Sequence, residues 1–463
     1  MHKLYYQYPG TWFGDCMPFG KDGQFYLYYL KDTRNPIPFG EPFGWDLVCT
    51  SDFVNYEEIG VAIPHGTDEE PDQYVFSGSV LGTAEKYHIF YTGNNFEYPK
   101  QGKPGQILMH AVSDDAVVWE KDSDFPQILA EEGYDPDDWR DPFVFWDAEH
   151  KEYVLLLGGR LKGPKTRQTG RTVKYISQDL IHWDFRGDFW APNLYTMHEM
   201  PDLFKMGEWW YHIITEYSDR SKMIYRMSRS VDGPWLKPED DAFDGRAYYA
   251  GRTYCMNGKR FLFGWVPTKE NNDDNQKFEW GGALVVHEIF QRNDGSLGVK
   301  IPETVWKSFN EIGDKTELKV HAENAAKEHV ISRQGGNLFA VEAEIAFTEN
   351  TSSFGINLYE NEDTQEGYQF RFYPKENRVV FEKRPNWPWP NINNTGLERP
   401  IKLEPKKTYF VRVVVDDTIA TLYVNGVALN ARMYEKKGDV ISIFATDGMI
   451  EVKNLRINKR KES

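Results

Sequence analysis

The chain is poor in the residues that staple or ligate. Its 463 residues include three cysteines, Cys16, Cys49 and Cys255. These are too few and too scattered for a disulfide framework or a zinc site. Asp-rich loops of the D-x-D-x-D-G type are absent, so no calcium loop of that kind is expected, and neither a metal nor a cofactor is expected. Positive charge is short: 54 Lys and Arg stand against 71 Asp and Glu, a net charge of −17. That balance disfavours nucleic acid and anionic membranes as partners and favours a neutral or cationic ligand. No apolar run is long enough to cross a bilayer. The first twelve residues, MHKLYYQYPGTW, lack the apolar core of a signal peptide. The expectation is a soluble, cytoplasmic protein, with its oligomeric state left open.

What the chain has is aromatics: 15 Trp, 27 Tyr and 29 Phe, residues that favour strands and sugar-stacking surfaces alike. Strand-like runs recur at QFYLYYL (24–30), KYHIFYTG (86–93), EYVLLLGG (152–159), WWYHIITEY (209–217) and RFLFGWV (260–266). Each follows a turn signal such as KDG, MGE or NGK. After the first four comes a second phrase, Ser, a nearby Asp and an aromatic: SDFVNY, SDDAVVW, SQDLIHW and SVDGPW. Their serines are 62, 64 and 53 residues apart. A repeat of that length with several short strands and no long helix is one antiparallel sheet, and such sheets close radially. The fold class predicted is all-β, a five-bladed β-propeller over 1–305. Residues 306–335 read as a charged linker. Alternating strands over 336–463 predict a C-terminal β-sandwich. The Trp-Pro segment RPNWPWPNINN (384–394) is expected to pack as a rigid loop, and the basic end NKRKES to be disordered.

Upstream of each hairpin lie GDCMPF (14–19), FSGSV (76–80), WRDPFVF (139–145), HEMPDLF (198–204) and YYAGRTY (248–254). Asp15, Ser77, Asp141, Glu199 and Tyr249 therefore fall at similar places on successive first strands, which line a propeller's axis. Three are carboxylates. Carboxylates sharing a pocket push their pKa values apart, so one serves as an acid while another stays ionised. Glycoside hydrolysis needs that division. Arg140 beside Asp141 would hold its neighbour ionised. Ser77, with no His at a matching phase, suits contact with a ligand rather than nucleophilic attack, and Cys16 reads as a small packed side chain.

These segments, in order, resemble glycoside hydrolase family 32, the invertase, inulinase and levanase enzymes. WFGDCMPFG, WDLVCTSDFVNYEE (45–58), FSGSV, WRDPFVF, HEMPDLF and GWVPTKE with WGGAL (280–284) each have a counterpart there. The resemblance implies retention of anomeric configuration, with Asp15 as nucleophile, Glu199 as general acid/base and Asp141 holding substrate hydroxyls. It places Arg140, Ser77, Phe76 and Trp45 around the sugar, with Trp12 and Tyr249 as further contacts. The implied reaction releases fructose from β-fructofuranosides such as sucrose, fructo-oligosaccharides, inulin or levan. The chain departs from the family where an Asn is Gly14, where Pro-Asn-Gly becomes Cys16, Met17 and Pro18, where a Gln is Leu30 and where a His is Leu47. Those changes leave open a fructosyl transferase, a hydrolase of another furanoside or pentoside, or a non-catalytic sugar-binding propeller.

Overall fold

The computed structural model describes residues 2–385 and 395–460. Five antiparallel units follow one another along the chain. The first is β1 (Trp12–Lys21), β2 (Gln24–Asp32), β3 (Trp45–Thr50) and β4 (Glu57–Ile63). The second is β5 (Tyr74–Gly82), β6 (Tyr87–Asn94), β7 (Gln106–Ser113) and β8 (Glu120–Lys121). The third is β9 (Tyr134–Asp147), β10 (Glu152–Leu161), β11 (Gly170–Ser177) and β12 (Asp184–Trp190). The fourth is β13 (Glu199–Met206), β14 (Trp209–Glu216) and β15 (Lys222–Ser228). The fifth is β16 (Tyr249–Met256), β17 (Lys259–Lys269), β18 (Phe278–Gln291) and β19 (Leu297–Lys300). The first strands touch in a ring, β1 to β5 to β9 to β13 to β16 and back to β1. That ring makes the units the blades of a propeller. The first and fifth blades also share one sheet, through Phe13 opposite Gly282 on β18.

Local chemistry explains the hairpins. Asp22-Gly23 and Asn257-Gly258 are two-residue turns with both φ angles positive, the mirror-image geometry that matches strand twist and selects Asp/Asn-Gly. The recurring Ser-Asp phrase is a second turn, after the third strand of a blade. In the third blade the Ser177 hydroxyl accepts the Leu180 amide at 2.9 Å, and Asp179 accepts those of Ile181 and His182 at 2.9 and 2.8 Å. Leu180 is held at φ 67° and buried. Ser113 and Asp115 repeat this around Ala116. In the first blade the hydroxyl belongs to Thr50, not to the expected Ser51: Thr50 Oγ1 accepts the Phe53 amide at 2.9 Å.

A short helix, α1 (Glu303–Lys307), leads to β20 (Thr316–Ser332) and the second sheet system. That system continues with β21 (Leu338–Phe347), β22 (Ser353–Glu360), β23 (Gly367–Tyr373), β24 (Arg378–Arg384), β25 (Glu398–Pro400), β26 (Tyr409–Asp416), β27 (Ile419–Val424), β28 (Val427–Arg432) and β29 (Val440–Lys459). Here the linker reading is corrected. Leu318, Val320 and Ala322 alternate with exposed charge, a strand period hidden in a charged stretch, and β20 pairs along β29. β29 pairs with β22 through its first half and β21 through its second. It turns at Asp447 and Gly448, both at positive φ, so one long strand passes between the two layers of a sandwich. Of the basic end, Asn458 and Lys459 belong to β29, and Lys459 exchanges backbone hydrogen bonds with Glu311, while 461–463 lie outside the described residues. The expectation for Trp387 and Trp389 lies outside the described residues.

Polar groups weld sandwich to propeller. Asp244 accepts the Asn430 amide and side chain at 2.8 and 2.6 Å and faces His287 at 3.2 Å, all buried. Arg432 on β28 donates to the carbonyls of Val266 and Pro267 on β17 at 2.8 and 3.0 Å. Asp416 on β26 accepts the amides of Lys3, Leu4 and Tyr5 at 2.8 to 3.1 Å. Tyr6 in turn accepts the Leu284 amide of β18 at 2.9 Å.

Candidate active site

Every inner strand breaks register at the same level of the axis. The irregularities fall between Phe13 and Cys16, Phe76 and Gly78, Arg140 and Phe143, Glu199 and Asp202, and Tyr249 and Arg252. A bulge turns side chains that a regular strand would point sideways. Asp141, Met200 and Ala250 sit in three of these bulges at φ 66°, 50° and 51°. The register refines the expectation of a shared phase: Arg140, Glu199 and Tyr249 precede their bulges, Asp141 is the first residue inside one, and Asp15 is the second residue inside its own. The three carboxylates reach one place from three successive bulge positions.

The residues form one web across all five blades. Asp15 accepts from Ser77 Oγ at 2.7 Å through Oδ2 and from Trp265 Nε1 at 3.0 Å through Oδ1. Glu199 accepts from Arg140 Nη2 at 2.7 Å and from the Tyr249 hydroxyl at 2.7 Å. Asp141 accepts the Met200 amide at 3.0 Å, and its own amide donates to Thr92 Oγ1 at 3.0 Å. Arg140 Nε is 3.9 Å from Asp141, and Nη1 donates to Asp138 at 2.9 Å. Asp138 also meets Arg160 at 2.6 Å and Lys165 at 2.9 Å.

Electrostatics separates the carboxyls. Burial, then repulsion from Asp141, pushes Asp15 up to about 7, against the pull of its two donors. Burial also raises Asp141, with Arg140 opposing. Asp138 is driven down to about 2, because Arg140, Arg160 and Lys165 outweigh its burial. The set therefore contains one carboxyl that gains or loses a proton near neutrality beside Glu199, which holds two donors.

The structure brings Asp15, Ser77, Arg140, Asp141, Glu199 and Tyr249 together. Phe76 is half-buried in a stack of rings, 6.2 Å from Phe43 at 15° between planes and 6.1 Å from Phe96. Trp12 is half-buried, with one face taken by the Arg34 guanidinium 4.1 Å from its centroid. Trp45 is not a contact residue. It is 0 % exposed, and its Nε1 donates to the Phe76 carbonyl at 3.0 Å, so it holds β5 from behind. Trp45→Phe is expected to lower stability by about 1–2 kcal/mol in urea unfolding and leave KM unchanged. A raised KM at unchanged stability would return Trp45 to the pocket. Sequence reasoning missed Trp265, Thr92 and Asp138. Only Trp265 carried a signal, as the tryptophan ending the fifth recurring hairpin strand.

Carboxylates from three blades of a five-bladed propeller thus meet at one level of its axis, each hydrogen-bonded by neutral or cationic donors. The sequence places the protein within a known group: residues 9–298 match the model described as Glycosyl hydrolases family 32 N-terminal domain, and residues 309–459 match Glycosyl hydrolases family 32 C terminal, so the chain belongs to that family. Curated relatives include a levanase of Bacillus subtilis (strain 168), 23% identical over 95% of this chain and 67% of its own length. A levanbiose-producing levanase of the same organism is 23% identical over 97% and 89%. Among solved structures, sucrose-6-phosphate hydrolase from Lactobacillus gasseri superposes with a TM-score of 0.78 at 19% identity, covering 100% of this chain and 93% of that one. A variant of fructan 1-exohydrolase IIa from Cichorium intybus in complex with 1-kestose gives 0.79 at 15%, covering 100% and 98%. These likenesses agree with a propeller joined to a sandwich.

Proposed function

We propose that the chain releases fructose from β-fructofuranosides with retention of configuration, with residues 1–305 as the catalytic unit and 336–463 as its support. The observation that carries the reading is the meeting of two carboxyls from the first and fourth blades at one level of the axis, each held by a pair of donors. Asp15 is fixed through both oxygens by Ser77 and Trp265, which aims it as a nucleophile. Glu199 is fixed by Tyr249 and by Arg140, a cation. The levanase and fructan-hydrolase names of the relatives supply the sugar.

In this mechanism ionised Asp15 attacks the anomeric carbon while the bond to the leaving oxygen breaks and Glu199 gives that oxygen its proton. Glu199 then takes a proton from water, which attacks the same carbon and frees Asp15. Asp141, buried and anchored by the Met200 amide, would hold sugar hydroxyls.

The test is product release from sucrose, short inulin and levan oligomers, difructose anhydrides and aryl pentosides. Fructose is expected from the fructosides, and Glu199→Gln should lower turnover by about 10²–10⁴-fold, the range of general acid–base catalysis. An aryl leaving group, which needs less protonation, should suffer less. Turnover of a pentoside alone would sink the fructose reading.

A further inference from the structure

The pocket is lopsided. One side of Asp15 is polar: Arg140, Asp141, Glu199 and Tyr249. The other is built of rings. Trp265, which donates to Asp15, lies 5.6 Å from Trp280. Trp280 lies 4.7 Å from Phe39 and stacks on Phe43 at 6.4 Å and 14°. Trp280 also occupies the space in front of Gly14, the residue preceding Asp15. A Cβ placed on Gly14 would stand 2.0 Å from Trp280 Cη2, 2.6 Å from Cζ2 and 2.8 Å from Cζ3. A side chain at 14 and the indole of Trp280 exclude each other.

The ring is held in place. Arg34 donates to the Trp280 carbonyl at 2.5 Å, to Thr268 at 2.9 Å and to Glu279 at 2.7 Å, while stacking on Trp12. The three atoms facing Gly14 are all carbon. A sugar group lying against this wall meets no side-chain donor or acceptor from residue 14.

We propose that Trp280 determines specificity. The pocket selects furanosides that present to the Gly14–Trp280 wall a C–H edge, or a hydroxyl already tied into an ether or acetal, over those presenting a free hydroxyl. A cyclic difructose dianhydride is of the first class and sucrose of the second. The cause is desolvation: a free hydroxyl pressed on carbon loses its water partners and gains none. The inference rests on the fructoside reading above and names which fructosides that pocket prefers.

The experiment exchanges the pair, as Gly14→Asn with Trp280→Gly, and compares Trp280→Phe and Trp280→Ala. kcat/KM is measured on sucrose, levanbiose and a difructose dianhydride, with thermal unfolding to establish that each variant is folded. The exchange should lower the dianhydride-to-sucrose ratio about tenfold or more, the scale of discrimination by buried polar mismatch. Trp280→Phe, which keeps a carbon wall, should hold the ratio near the wild-type value. If the double variant does not fold, Trp280→Ala must shift the ratio the same way. A wild-type chain that cleaves these sugars, with a ratio unmoved in the folded variants, overturns the role of Trp280 alone. No cleavage of any substrate, read as fructose or as the linear difructose that opening a dianhydride yields, in wild type and exchange alike, overturns the fructoside reading and this inference with it.

Discussion

Asp15→Asn is expected to remove hydrolysis while making the folded chain more stable above neutral pH. An amide is no nucleophile, so kcat should drop about 10⁴-fold or more, some 5.5 kcal/mol of barrier at 1.36 kcal/mol per tenfold. In the wild type the same carboxyl sets an acid limb. Asp15 attacks only when ionised, and its proton leaves at about pH 7, so kcat/KM should fall as pH drops below that value. Stability runs the other way. Unfolded Asp15 releases its proton near 3.8, folded Asp15 near 7. Its contribution is fully present below the first value and lost as pH rises through the second. Asn carries no such loss. Asp15 is partly open to solvent, which discounts the shift, leaving a gain of about 1–2 kcal/mol at pH 8 and little near pH 4. Denaturant unfolding of both proteins at the two pH values measures it. Near-normal turnover in the variant would remove Asp15 from the reaction. Equal stability at pH 8 would remove the proposed proton from it.

Arg252→Met should cost about 3–5 kcal/mol, the scale of breaking one partner out of a buried charged set. Arg252 lies on β16 and is 1 % exposed. Its Nη2 donates to the carbonyls of Asp141 and Pro142 at 2.9 and 3.3 Å, and its Nη1 to Pro201 at 3.1 Å. It thereby ties together the bulges that carry Asp141 and Glu199, and its charge faces buried Asp202. Methionine fills part of the volume but orphans three carbonyls. Arg252→Lys should recover only part of the loss, since one ammonium cannot fork to both bulges. Urea unfolding gives the cost, and kcat of the folded fraction should fall as well. A loss below about 1 kcal/mol with kcat intact would show that the bulges hold themselves.

Sequence order and composition carried the architecture, because propeller blades repeat. The hairpin strands, the Asp-Gly and Asn-Gly turns and the Ser-Asp phrases each recur with local causes. The three carboxylates were legible for the same reason. Their support was not. Trp265 and Thr92 lie on second strands, Arg252 sits beyond the bulge on β16, and Trp280 follows a loop; only closure of the ring brings them to Asp15 and Asp141. Trp45 misled because a tryptophan near a sugar site and one in a core look alike until the face it presents is known. β20 misled because surface charge masked its alternation, and β29, the partner that orders it, lies over a hundred residues away.

The grip of Asp416 on the amides of residues 3 to 5 has a consequence in time. These groups are up to 413 residues apart in sequence, and a ribosome makes the early segment long before its anchor. The blades can form as they emerge. Tyr6 of the segment leading into the first blade finds its partner once β18 has been made, but residues 3 to 5 wait for β26. The sandwich is therefore the latch on the ring, and a nascent chain halted before residue 416 should carry its blades in order with its opening segment still accessible to protease.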